Sequence, residues 1–259
     1  MVLPSLIGSF VFIFGLLLGS FFNVCIVRLP KNESIIWGRS GCPNCKALIP
    51  WFCNIPILSY LGLRGKCKDC KNPISIEYPI VELISGLMSW GIFCAYGLSL
   101  EFLFSLVFCS SLLVISVIDL HHQIIPDEIS LPGIPIGFLF ALWLGKITWY
   151  ESLLGILCGG GSFLLIAWGY EKLAKREGLG GGDIKLLGMI GAWLGVQSLI
   201  VVIVLSSLLG SIIGITLMII QKKDFKTAIP FGPFLAFGAV AYLFFGNELQ
   251  GFLFPYLTP

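Results

Sequence analysis

From Leu3 to Val27 the chain carries no charged residue. A helix crosses a bilayer with about 20 apolar residues, so this run is long enough to span. Comparable runs follow at Pro79–Tyr96, Phe102–Ile118, Ile129–Gly145, Leu153–Trp168, Leu186–Ile220 and Pro230–Phe245. Such a pattern leaves few folds open. Lipid offers the backbone no hydrogen bonds, so each run must satisfy its own amides, and a helix does this within one segment. The run from Leu186 to Ile220 is too long for one span; a tight turn near Gly195 or Gln197 divides it into two. Only 12% of the 259 residues are charged, against roughly 25% in soluble domains, which excludes an ordinary soluble enzyme. The expectation is an all-α polytopic membrane protein of about eight transmembrane helices.

Orientation follows from the basic residues. None precedes the first run, whereas Arg28 and Lys31 follow it. A cleavable signal peptide has the opposite arrangement, so the run is read as a retained span with the N-terminus outside. Residues 29–78 form the one sizeable polar segment, and with Arg28 at its border it holds eight of the sixteen Lys and Arg residues. Excess Lys and Arg marks the cytoplasmic side. The charged stretch Tyr170–Glu177, Lys185, and then Lys222, Lys223 and Lys226 fall on that side too, leaving Lys146 as the one basic residue outside. The chain accordingly divides into a first helix (1–28), a cytoplasmic segment (29–78) and a membrane domain of about seven helices (79–259).

Two close cysteine pairs lie in the cytoplasmic segment, Cys42-Pro43-Asn44-Cys45 and Cys67-Lys68-Asp69-Cys70. A two-residue gap lets both sulfurs of a pair reach one ion, and tetrahedral thiolate coordination suits Zn²⁺. The separation of the pairs is slightly longer than the common zinc-ribbon gap. A segment this short has too little apolar surface to fold alone, so a metal staple is expected. Two disulfides are the competing reading, and a reducing cytoplasm argues against them. With all four positions filled by protein, the Zn²⁺ is structural, giving a small zinc-ribbon-like segment between the first and second helices. Cys25, Cys94, Cys109 and Cys158 lie in apolar runs and read as buried small hydrophobes.

An ionisable residue at the edge of a span marks a functional site by default. Asp119 ends the run Ser116-Val117-Ile118-Asp119, and Asp183 follows Gly178-Leu179-Gly180-Gly181-Gly182 where an apolar helix begins. The topology, derived from other residues, puts both at the cytoplasmic face. Two carboxylates brought together share a proton. One then activates water as general base while the other hydrogen-bonds the scissile carbonyl, as in aspartic proteases. The consecutive glycines free the backbone for conformations closed to other residues and let an extended substrate lie close.

Other polar positions have quieter readings. Glu82 is either a first-turn carboxylate favoured by the helix dipole or a polar group facing the site. Asp127 follows Pro126 and precedes an apolar run, as at a helix start. His121 and His122 are adjacent and do not share a helix face, so a polar loop from Leu120 to Glu128 explains them better than a metal. Pro132 and Pro135 break the fourth run. No clear internal repeat and no nucleic-acid module is visible, and the basic segment faces membrane lipid or a protein partner. Proton-coupled transporters also use intramembrane carboxylates. Their sites lie near the midplane between inverted halves, whereas these two aspartates share one face.

The combined motifs resemble the type IV prepilin peptidases, aspartic membrane proteases with a Gly-x-Gly-Asp motif. The matching stretches are Gly19-Ser20-Phe21-Phe22-Asn23-Val24 with Arg28-Leu29-Pro30; the cysteine segment with Asn54-Ile55-Pro56 and Arg64-Gly65; Tyr78-Pro79 with Glu82; Asp119 with Pro126-Asp127; and Gly180-Gly181-Gly182-Asp183-Ile184-Lys185. They run in order over about three quarters of the chain; the last two spans match only in hydropathy. The resemblance implies that Asp119 and Asp183 are the catalytic pair, supported by Gly180, Gly181, Gly182, Lys185, Asp127 and Glu82. It implies a substrate, the N-terminal leader of a type IV prepilin or pseudopilin, cut at the cytoplasmic face of the bacterial inner membrane. It also implies N-methylation of the new terminus from S-adenosylmethionine, and a metal site at Cys42, Cys45, Cys67 and Cys70. Glu77 departs from the family, which often carries a basic residue before Tyr-Pro, and this bears on methylation and leader preference.

Overall fold

Each apolar run is helical in the computed structural model, which describes residues 2–174, 180–221 and 230–253. The order is α1 (Val2–Arg28), α2 (Leu58–Gly62), α3 (Glu77–Tyr96), α4 (Leu100–His122), α5 (Asp127–Leu144), α6 (Trp149–Ala174), α7 (Gly181–Leu194), α8 (Val196–Gln221) and α9 (Gly232–Leu253). No strand longer than an isolated bridge occurs among the described residues. Helices α1, α3, α4, α5 and α8 are long and apolar enough to cross a bilayer, and the chain is a membrane protein. Lys175, Arg176, Lys222, Lys223 and Lys226, which served to orient the chain, lie outside the described residues, as do Gly178 and Leu179. The chain divides into two compact units, Met1–Ser110 and Ser111–Pro259.

In the first unit α1 and α3 form a close pair. Small residues permit it: a Cβ on Gly15 would stand 2.5 Å from the Ser89 hydroxyl oxygen, and one on Gly19 would stand 2.6 Å from the Glu82 Cα. Between membrane helices such small-residue contacts replace the hydrophobic drive that lipid cannot supply. The Ser85 hydroxyl donates to the Gly15 carbonyl at 2.7 Å, and the Asn23 amide donates to the Tyr78 carbonyl at 3.1 Å. After α1, the Arg28 guanidinium gathers the carbonyls of Ser34, Trp37 and Gly38 at 2.8–3.1 Å and folds the start of the polar segment back on the helix end.

In the second unit the short helix α7 sits at the centre. Leu186, Leu187, Met189, Ile190 and Ala192 are fully buried, against α5, α6, α8 and α9. Its approach to α6 is backbone to backbone: a Cβ on Gly191 would lie 2.2 Å from the Gly155 carbonyl oxygen. The Ser152 hydroxyl donates to the Ala192 carbonyl at 2.7 Å across the same contact. The turn that divides the long apolar run falls at Gly195, whose φ of 80° is left-handed and suits glycine.

The structure corrects several expectations. Helix α4 does not end at Asp119 but continues through His122, so the two histidines occupy its last turn rather than a loop. A helix can carry polar residues one turn beyond its apolar run; the stop comes at Gln123, left-handed at φ 54°. Helix α5 runs unbroken through Pro132 and Pro135. Each proline removes a helical donor, but packed neighbours keep a membrane helix intact, and here the Trp193 indole of α7 donates to the Gly133 carbonyl at 2.8 Å. Cys25 and Cys109 are buried as expected, whereas Cys94 and Cys158 are exposed. In lipid the outer face of a helix is apolar as well, so an apolar run does not identify the inward side.

Candidate active site and metal centre

Asp119 lies near the end of α4 and is only 5% exposed. Asp183 lies in the first turn of α7, whose N-cap is Gly180, and its N–H donates to the Gly180 carbonyl at 3.1 Å. The two side chains are close enough for the charge of Asp119 to act on Asp183. What joins them is the four-residue link between α4 and α5. The Gln123 N–H donates to the Asp119 carbonyl at 2.9 Å and turns the chain. Ile125 and Pro126 then point inward, both buried. Ile125 seats on Gly182, where an added Cβ would be 2.9 Å from the Ile125 Cβ. One residue after the link, the Asp127 carboxylate accepts the Lys185 ammonium at 2.6 Å. An apolar seat and an ion pair thus fasten the start of α7 beside the end of α4, flanking Asp183 on either side in sequence.

The glycine run works differently from its expected role. None of Gly180, Gly181 and Gly182 has a positive φ; Gly180 is extended at φ −63° and ψ 127°. Conformational freedom is therefore not what these positions need. Gly182 makes room for Ile125, and a Cβ on Gly180 would come within 3.4 Å of the Asp183 Oδ2. Among the described residues, a Cβ on Gly181 would meet nothing within 4 Å.

A further group belongs to this site. The Gly232 N–H, at the start of α9, donates to Asp119 Oδ2 at 2.9 Å in a buried contact. Sequence reasoning passed over it because the last two spans offered only hydropathy. The signal was there in Pro230-Phe231-Gly232-Pro233, a proline-bracketed glycine opening an apolar run, which marks a helix start.

Glu82 has a role that neither sequence reading named. It is 8% exposed, and its Oε2 accepts the Ile57 N–H at 2.8 Å. Ile57 is held at φ 60°, an outlier for a β-branched residue. The carboxylate ties the loop before α2 to the membrane helix α3.

The four cysteines gather as their spacing required. Their sulfurs all lie within 4.8 Å of one another, and they are the one group among the described residues that could hold a metal. A zinc tetrahedron with Zn–S bonds of about 2.3 Å has sulfur–sulfur edges of about 3.8 Å, and the Cys42–Cys70 separation is 3.8 Å. Backbone N–H groups of Cys45 and Asn44 lower the Cys42 thiol to about 6, favouring the thiolate that binds metal. The two knuckles repeat one another, a repeat the sequence reading did not see. The Cys42 N–H donates to the Ala47 carbonyl at 2.9 Å and the Cys67 N–H to the Asn72 carbonyl at 2.8 Å. Lys46 and Lys71 are left-handed at φ 59° and 60°, and the bridges Gly41–Leu48 and Lys66–Pro73 close the two hairpins. The two also share Cys-x-x-Cys-Lys-x-x-Ile, at Cys42–Ile49 and Cys67–Ile74.

Comparison with known proteins places these features in one family. Residues 13–96 match the bacterial peptidase A24 N-terminal domain, and residues 106–215 match the type IV leader peptidase family. The prepilin leader peptidase/N-methyltransferase of Aeromonas hydrophila is 36% identical over 95% of this chain and 93% of its own length. The proteins of the same name from Pseudomonas putida and Burkholderia pseudomallei (strain 1026b) are 35% and 34% identical, over 95% and 92% of this chain and 93% and 85% of their own lengths. No solved structure matches. The chain belongs to the type IV leader peptidase family.

Proposed function

We infer that this protein is a membrane aspartic endopeptidase that removes the N-terminal leader of type IV prepilins or pseudopilins and then methylates the new terminus. The observation that supports the peptidase assignment is that Asp183 lies within reach of the Asp119 charge, at the start of α7 where Gly181 has no described neighbour in the way. Asp119 and Asp183 share one proton. The ionised member takes a proton from a water molecule as that water attacks the scissile carbonyl carbon, and the protonated member hydrogen-bonds the carbonyl oxygen. Collapse of the tetrahedral intermediate breaks the C–N bond, and the departing amine takes up a proton from the pair. The substrate backbone lies extended along residues 180–181, where no side chain intervenes.

The active site faces the cytoplasm of the bacterial inner membrane, with the N-terminus outside, as the basic residues direct. The four cysteines fit Zn²⁺ by donor type and by separation, with no position left for substrate, so the ion is structural: it cross-links the two knuckles. Cleavage leaves a free α-amine, the nucleophile that methylation requires, and S-adenosylmethionine supplies an electrophilic methyl group. With no strand among the described residues there is no glycine-rich strand–helix loop for that cofactor, and no methylation step is assigned to particular residues.

The test is incubation of the purified protein in phospholipid with a prepilin, read by intact mass. Loss of the leader mass, with one further methyl mass when S-adenosylmethionine is present, is the expected result. An uncleaved prepilin would reject the peptidase, and a cleaved but never methylated product would reject the second activity.

A further inference from the structure

We propose that Gly232 is a positioning residue for the carboxylate pair, acting through its backbone N–H on Asp119; the proposal rests on the peptidase reading above. The first N–H groups of a helix have no partner inside it, and those of α9 are accounted for one by one. Phe234 and Leu235 both donate to the Phe231 carbonyl at 3.1 Å. Pro233 has no N–H to offer. The Gly232 N–H remains, and it goes to Asp119 Oδ2, more than a hundred residues earlier in the chain, in a buried contact. Asp119 therefore caps α9 from another helix, and α9 in return fixes one carboxylate oxygen.

This has a chemical consequence. A carboxylate or carbonyl-type oxygen is a better acceptor than a carboxyl hydroxyl, so the Gly232 N–H favours Oδ2 as the unprotonated oxygen of Asp119. A proton shared by the pair then sits on Asp119 Oδ1 or on Asp183, the two places from which it can face a substrate. Among the described residues, no hydrogen bond fixes the Asp183 side chain in this way. Among the described residues the pair thus has one member, Asp119, anchored by a backbone group, and one, Asp183, without such an anchor.

The position also demands glycine for a reason of space. A Cβ at residue 232 would stand 2.7 Å from Asp119 Oδ2 and 3.3 Å from its carboxyl carbon. The obstacle is a buried carboxylate held at its base by α4, not the loose end of a flexible chain.

Two variants of the full-length protein in phospholipid test this, with prepilin cleavage followed as kcat and KM separately. Gly232→Ala keeps the N–H but drives Cβ into Oδ2, and kcat should fall about 100-fold with KM within twofold of wild type. Should that variant fail to fold, glycolic acid introduced at 232 by suppression in cell-free synthesis replaces the amide with an ester. It removes the N–H and adds no atom in the carboxylate's way. Its kcat should fall about 10- to 100-fold, the value of a hydrogen bond to a charged group, with KM within twofold of wild type in a protein that still melts cooperatively. Wild-type kcat in the ester protein, or in a folded Gly232→Ala, overturns the proposal while leaving the peptidase standing. Failure of the wild-type protein to cleave overturns both.

Discussion

In the first unit, four sulfurs are presented by two hairpins that repeat the same backbone hydrogen bonds, with two residues between each cysteine and its mate. In the second unit, two carboxylates are brought together by a four-residue link, an apolar seat, an ion pair and the end of a third helix. The cysteine cluster is local, and the residues that could hold a metal are their own scaffold. The carboxylate pair is assembled from a distance, and the groups that hold it are not the groups proposed to react. The first kind of site fails when a ligand is lost; the second fails when packing far from the reacting atoms is disturbed.

The comparison can be broken most severely at the metal. Cys67→Ser should reduce bound zinc from one equivalent to near none and leave residues 29–78 open to protease, because structural zinc supplies about 10 kcal/mol or more to such segments. Full zinc content in this variant, by metal analysis, would show that the cysteines are not the ligands. Next in size is Gly191→Ala. Its Cβ meets a backbone carbonyl at 2.2 Å, so overpacking should cost about 3 kcal/mol. The melting temperature and cleavage should fall together while zinc stays bound; an unshifted melt would mean that α6 and α7 do not pack as described.

Smaller effects sharpen the contrast. Glu82→Leu leaves the part-buried Ile57 N–H without its acceptor, at about 1 kcal/mol. Hydrogen exchange at the Ile57 amide should speed up, and no change there would remove Glu82 from its structural role. Lys185→Met loses an ion pair between part-exposed groups, worth about 1 kcal/mol or less. Cleavage should drop only a few-fold, and a drop as large as that of an aspartate variant would give Lys185 a more direct part than the structure does.

The same contrast explains what could be read before the fold was known. Helices α1 to α9 outside the polar segment were legible because lipid imposes one solution on an apolar run, and the turn at Gly195 because such a run has a maximum length. The cysteines were legible because ligand spacing is a short-range property. Asp119 and Asp183 were legible as residues out of place in a span. Their supports were not. Gly232 acts through an N–H that every residue but proline carries, Ile125 is one apolar residue among many, and Gly182 matters for the space it leaves. The extension of α4 to His122 and the unbroken α5 depend on neighbouring helices, which local propensity does not contain. The twin knuckles were legible too, in the shared Cys-x-x-Cys-Lys-x-x-Ile, but a repeat of eight residues adds little beside the cysteines themselves.

The most direct test of the account compares prepilin cleavage by wild type, Asp119→Asn, Asp183→Asn and the double variant, with zinc content and melting temperature recorded for each. Both single variants should lose about 10³-fold or more in kcat, as general acid–base groups do. The double variant should be no worse than either single one, as for residues that act as a unit, and all three should stay folded and zinc-loaded. A single variant that is folded and cleaves at the wild-type rate would show that the two carboxylates do not form the catalytic pair.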